Sequence, residues 1–145
     1  MSPLLALVLL VAIVLVATVV GVLLRRGDGR ARTVRAGALT PDQLALPPSA
    51  FGERATIVQF STELCAKCPA TRRLLAGIAG GRDGVVHVDV DLTHRPDLAQ
   101  RFHVLQTPTT LMLDEHGVPR ARIAGAPARS TVADELDRIE GTIHA

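Results

Sequence analysis

The stretch Phe60-Ser61-Thr62-Glu63-Leu64-Cys65-Ala66-Lys67-Cys68 holds the only two cysteines of a 145-residue chain. An apolar run, Thr56 to Phe60, leads directly into it, and a helical pattern follows. Two thiols three positions apart at a strand-to-helix junction can close a small ring and reopen it. That is the least that thiol–disulfide exchange requires. A disulfide across so short a loop removes little entropy from the unfolded chain, because that stabilisation grows with loop length. The pair is better explained as chemistry than as a staple.

The flanking residues predict the elements around this junction. Thr56 to Phe60 is mostly apolar and β-branched or aromatic, a strand pattern. Thr71 to Ala79 sets Leu74, Leu75 and Ile78 on one face and ends at Gly80-Gly81, an amphipathic helix with a glycine stop. Val85 to Val90 reads as a second strand, and Pro96 to His103 as a short helix with proline in its first turn. Thr109 to Leu113 is a third strand, joined through the turn Asp114-Glu115-His116-Gly117 to a fourth, Arg120 to Ala124. Ser130 or Thr131 is placed to cap a last helix whose Val132, Leu136 and Ile139 share a face. The order β-α-β-α-β-β-α implies an α/β fold, a mixed central sheet flanked by helices. Thr40-Pro41-Asp42 marks its beginning, giving one domain over 40–145.

The N-terminal part differs in kind. Leu4 to Leu24 is uncharged, with Thr18 its one polar side chain. A helix of that length rises about 31 Å, enough to cross the hydrocarbon core of a bilayer. No basic residue precedes the run, and Arg25-Arg26 follows it without an Ala-x-Ala-like cleavage site, so 4–24 is read as a retained transmembrane anchor. A cleaved signal or a buried core helix are the alternatives. Residues 25–39 are rich in Gly and Arg without hydrophobic period and are expected to form a basic linker. Arg25, Arg26, Arg30, Arg32 and Arg35 against Asp28 alone place the following domain on the cytoplasmic side by the positive-inside rule, an extracytoplasmic domain being the alternative. The same arginines are suited to anionic headgroups. Beyond residue 35 acids slightly outnumber bases, and there is no Tyr or Trp beside Phe51, Phe60 and Phe102. Clustered basic charge and stacking platforms for nucleic acid are thus missing.

Strand, Cys-x-x-Cys, Thr107-Pro108 before a strand, Leu111-Met112-Leu113, the turn Asp114 to Gly117, and Ile123-Ala124-Gly125 together resemble the thioredoxin superfamily. The resemblance spans roughly 40–143, and the tethered form is similar to membrane-anchored thioredoxin-like proteins of actinobacteria. It implies a thioredoxin fold and a thiol–disulfide oxidoreductase, with no cofactor beyond the redox-active disulfide Cys65–Cys68. It implies Cys65 as nucleophile, its thiolate favoured by a helix N-terminus and by Lys67, and Cys68 as the resolving thiol. It makes Pro108 a cis-proline, with Thr107 offering its backbone to an extended substrate strand. Gly125 would line the same groove, or serve the backbone as a hairpin-end glycine. The partners implied are proteins carrying disulfides and an electron donor.

The departures are specific. Thioredoxins proper resemble Trp-Cys-Gly-Pro-Cys here, whereas this chain has Leu64-Cys65-Ala66-Lys67-Cys68. Pro69 follows the second cysteine and lacks the N–H that a helix running through Cys65 would use. The family's buried carboxylate falls on Gln59 and its lysine partner on His87. His87, through Gln59 or a water, is a candidate proton acceptor for Cys68, against the alternative of a hydrogen-bonded structural histidine. His94, His103 and His116 show no metal-ligand spacing with the cysteines, so no metal is expected. The expected function is reduction of protein disulfides near the membrane. The alternatives are an extracytoplasmic thiol reductant of the cytochrome c maturation type and a non-catalytic thioredoxin-fold docking module.

Overall fold

The structure, a computed structural model, describes residues 2–34 and 36–143. Arg35, one of the five arginines counted after the apolar run, lies outside the described residues. In chain order the elements are α1 (Pro3–Arg25), β1 (Ala31–Thr33), β2 (Ala55–Ser61), α2 (Cys68–Gly80), β3 (Val85–Asp91), α3 (Pro96–Arg101), β4 (Thr109–Asp114), β5 (Pro119–Ala124) and α4 (Arg129–Ile143). Two 3-10 turns, Pro41–Leu44 and Pro48–Ala50, lie between β1 and β2.

The five strands form one sheet in the order β1-β5-β4-β2-β3. Strand β2 pairs parallel with β3 and antiparallel with β4, so the sheet is mixed, as the alternation of elements predicts. All seven residues of β2 are buried. Alternate residues of such a strand face opposite layers. Ile57, with Met112 and Ile123, packs against Leu75 and Ile78 of α2 and Val132, Leu136 and Ile139 of α4. Val58 and Phe60, with Leu111 and Leu113, pack on the other side against Leu44, Leu98 and Phe102. The Phe60 and Phe102 rings stack with centroids 5.5 Å apart. Each fully buried aliphatic side chain contributes roughly 1.5–3 kcal/mol relative to exposure, so both layers hold the central strand in register.

Three local expectations are corrected. Helix α2 begins at Cys68, after Lys67, and not at the first cysteine, so Pro69 sits in the first turn. There the missing N–H breaks no helical bond. Helix α4 begins at Arg129, which puts Ser130 and Thr131 inside its first turn rather than at the cap; the Val132 N–H already bonds the Ala128 carbonyl at 3.2 Å. Within 25–39, expected from sequence to be a linker, residues 29–34 and Leu39 bond to the sheet and its hairpin. Strand β1 pairs antiparallel with β5, the Val34 N–H bonds the Arg120 carbonyl at 3.2 Å, and the Leu39 N–H bonds the Gly117 carbonyl at 2.8 Å. The outer edge of β5 offers unpaired backbone groups, and three mostly exposed residues satisfy them without leaving a hydrophobic period. Gly117, at φ +73°, lets the Leu39 carbonyl approach where a Cβ would collide.

Helix α1 is long and apolar enough to cross a membrane, and none of its residues is buried against the rest of the protein. By length and composition it fits an anchor or a signal sequence.

The β4–β5 hairpin is closed by Asp114, whose Oδ1 accepts the N–H groups of His116 and Val118 at 2.9 Å each, while Oδ2 accepts Arg120 Nε at 2.7 Å. Burial pushes this carboxyl up, but the amides and the guanidinium outweigh it and hold it below its ordinary range. A depressed carboxylate stabilises the fold above its unfolded pKa and loses that contribution on acidification. Asp114→Ala is therefore expected to cost about 2 kcal/mol in urea unfolding at neutral pH, with the difference from the parent shrinking as pH falls below about 4.

Candidate active site

Strand β2 delivers the chain to the cysteine loop, and the loop is pinned on both flanks. Its Glu63 N–H donates to Thr93 Oγ1 at 2.9 Å, and the Thr62 and Thr107 hydroxyls share a hydrogen bond of 3.1 Å. The second contact ties the cysteine loop to the loop before β4, where the Thr107–Pro108 peptide bond is cis. The Pro108 carbonyl accepts the Gly125 N–H at 2.8 Å. Among the described residues the Thr107 backbone N–H and C=O have no partner, which leaves a short free edge beside the cysteines.

Cys65 and Cys68 form a disulfide with Cα atoms 5.4 Å apart. Cys65 is partly exposed in the turn before α2, while Cys68 is 2% exposed. The asymmetry leaves one sulfur for an outside partner to reach and keeps the other covered. Cys65 is not itself helical: its carbonyl accepts the Cys68 N–H at 3.2 Å just ahead of α2. Cys65, Lys67, Thr107 and Gly125 line one shallow groove with Leu64.

Gln59 is fully buried below the helix start. Its Nε2 donates to the Cys68 carbonyl at 3.1 Å, and its Oε1 is 3.2 Å from His87 Nε2. With the amide so oriented, His87 Nε2–H is the donor of that pair. His87 thus reaches Cys68 through an amide and a backbone carbonyl, which positions the cysteine's main chain and does not touch its sulfur. On the same strand Asp89 accepts from Ser61 Oγ at 2.7 Å and pairs with Arg72 of α2. Burial lowers the His87 pKa below its ordinary value; Asp89 opposes this and Arg72 adds to it. Among the described residues no three His, Cys, Asp or Glu side chains converge as metal ligands.

Two groove residues lie outside what the sequence reading anticipates. Asp28, in the stretch expected to be a linker, and Gln106 both line the groove, and Gln106 Nε2 donates to Asp28 Oδ1 at 3.2 Å. The turn signal Gly27-Asp28-Gly29 is the available clue, since Gly-Asp-Gly favours a tight reversal.

A thioredoxin of Mycolicibacterium smegmatis is 31% identical to this chain over 83 residues, 55% of this chain and 73% of that protein. The chain belongs to the thioredoxin superfamily. No family profile matches the sequence. Solved thioredoxins share the fold at lower identity. A mutant thioredoxin from Halobacterium salinarum superposes with TM-score 0.54 at 14% identity, over 61% of this chain and 76% of that one. Fasciola hepatica thioredoxin gives 0.52 at 21%, over 60% and 82%. In this thioredoxin-like chain the uncharged amide of Gln59, bonded in turn to His87, lies below Cys68, where the resemblance leads one to expect a carboxylate.

A histidine whose folded pKa is depressed is stabilising when neutral, and that contribution is lost as pH falls from its unfolded value, near 6.5, through its lower folded one. Acidification from pH 7.5 to about 5.5 is expected to lower thermal stability, and His87→Gln to flatten that part of the profile. A profile unchanged by the substitution would remove His87 as the titrating group.

Proposed function

We propose that the protein is a membrane-tethered thiol–disulfide oxidoreductase that reduces disulfides of protein substrates near the membrane. The observation that carries this reading is the Cys65–Cys68 disulfide, one sulfur accessible and one covered, beside a free backbone edge at Thr107. In the dithiol form the Cys65 thiolate attacks one sulfur of a substrate disulfide. The substrate S–S bond breaks, a Cys65–substrate disulfide forms, and the departing substrate thiolate takes a proton. Cys68 then gives up its proton and attacks Cys65 Sγ, expelling the second substrate thiolate and closing the ring. The substrate gains two electrons and two protons, and a dithiol donor returns them to the protein.

In this reading Thr107, Pro108 and Gly125 form the substrate-binding edge, an extended peptide pairing with the Thr107 backbone. Lys67, exposed between the cysteines, favours the Cys65 thiolate. Gln59 and His87 are positioning residues that hold the Cys68 carbonyl. Leu64 replaces a flat aromatic with a flexible aliphatic on the rim. Helix α1 serves as the tether, and the arginines after it favour a cytoplasmic domain.

Equilibrating the full chain with dithiothreitol or glutathione buffers is expected to give a reversible two-electron couple near about −270 mV, as for a reductase; a value near about −120 mV would make it an oxidant. Cys68→Ser is expected to accumulate mixed disulfides through Cys65. Absence of both a reversible couple and trapped adducts would leave a docking module.

A further inference from the structure

The tether and the groove are one structure. Helix α1 ends at Arg25, and four residues later the Gly29 N–H is bonded to the Ala124 carbonyl at 2.7 Å. Gly29 holds φ +74°, and a Cβ there would lie 2.8 Å from the Ala126 carbonyl oxygen, so the chain is seated closely on the end of β5. The intervening Asp28 lies over Gly125, where an added Cβ would meet its Cβ at 3.1 Å, and its carboxylate takes the Gln106 bond. Asp28 is thereby a wall of the groove that contains Cys65. Four extended residues span at most about 14 Å, whereas a free fifteen-residue linker would reach about 50 Å.

Leu64 lines that groove, and Leu105 lines the neighbouring recess that shares Asp28 and Gln106 with it. Leu64 is 98% exposed and Leu105 96% exposed. Leu105 shares a recess with Leu24, in the last turn of α1, and with Arg30 and Arg32. Exposed leucines beside arginines, contiguous with a membrane-length helix, suit an interface of acyl chains and anionic headgroups.

We infer that the groove opens onto the bilayer surface, its Asp28 wall set by the tether, and that its substrates are disulfides held at headgroup level in protein segments flanking membrane spans. The inference rests on the oxidoreductase reading above and narrows its substrate class. Soluble proteins with distant disulfides are then poor substrates because the tether cannot present the groove to them. The two electrons and two protons are those of the Cys65–Cys68 dithiol, passed to the substrate in the steps already given.

The test uses pre-reduced full chain in phosphatidylcholine–phosphatidylglycerol vesicles in single turnover. Two single-span peptides carry the same fluorogenic disulfide, one adjoining the span and one beyond a long Gly-Ser arm. The near disulfide is expected to react about tenfold faster, through its higher effective concentration. Inserting about eight Gly and Ser residues between Arg26 and Gly27, which lengthens the tether by up to about 28 Å and leaves Asp28 and Gly29 in place, should abolish the preference. Reduction of a small soluble aromatic disulfide should stay unchanged. Equal rates for the two peptides, with the soluble disulfide still reduced, overturn the orientation and leave the oxidoreductase reading standing. No reduction of any of the three overturns that reading and this inference with it. Independently of activity, a fluorophore on Leu105→Cys in a Cys65→Ser, Cys68→Ser background should be quenched by a headgroup-level lipid quencher. The insertion should relieve the quenching, and an unquenched probe in the uninserted chain overturns the orientation.

Discussion

Strand β2 is hydrogen-bonded on both sides, parallel to β3 and antiparallel to β4, and all seven of its residues are buried. A strand so enclosed cannot slip by one residue without exchanging its two buried faces. Its register therefore decides which side chains lie under the cysteine loop. Ile57 belongs to the layer beneath α2 and α4, Val58 and Phe60 to the layer beneath α3, and Gln59 to the small polar space below Cys68. The end of the strand at Ser61 then aims the loop at the cis Thr107–Pro108 turn.

The polar seam under α2 is a consequence of that register. The amide of Gln59 connects His87 to the Cys68 carbonyl, and Asp89 connects Ser61 to Arg72. Buried polar groups in such a seam are costly when unpaired, so these partners constrain one another. The helix start is held by a hydrogen bond to the Cys68 carbonyl that involves neither sulfur. A late start for α2 also resolves Pro69, which is disruptive only if the helix runs through Cys65.

The edge of β5 does two things. It accepts β1, which removes an exposed strand edge, and it seats Gly29 so that Asp28 flanks the groove. The end of α1, the sheet edge and the cysteine groove are consequently close in space although Asp28 and Cys65 lie 37 positions apart in sequence. A segment carrying Arg30 and Arg32, with no hydrophobic period, is brought to the groove by backbone pairing and by the Asp28–Gln106 hydrogen bond.

Local pattern was enough to specify the mixed sheet with its helices, the junction that carries the cysteines, and the hairpin at Asp114 to Gly117. The signals are β-branched runs, an amphipathic face at Leu74, Leu75 and Ile78, and turn residues whose conformations are intrinsic. Gln59 and His87 were legible through alignment with a known motif, but their direction of bonding was not, since an amide's orientation depends on the neighbours on both sides. The pairing of Ala31–Thr33 with β5 came from the assembled sheet, the turn signal Gly27-Asp28-Gly29 being the one clue in the segment's own residues. Backbone N–H and C=O groups are the same in nearly every residue, so a strand that binds an edge through them leaves no side-chain signature. The folded sheet, with the outer side of β5 unsatisfied, selects which segment pairs there and so brings Asp28 to the groove.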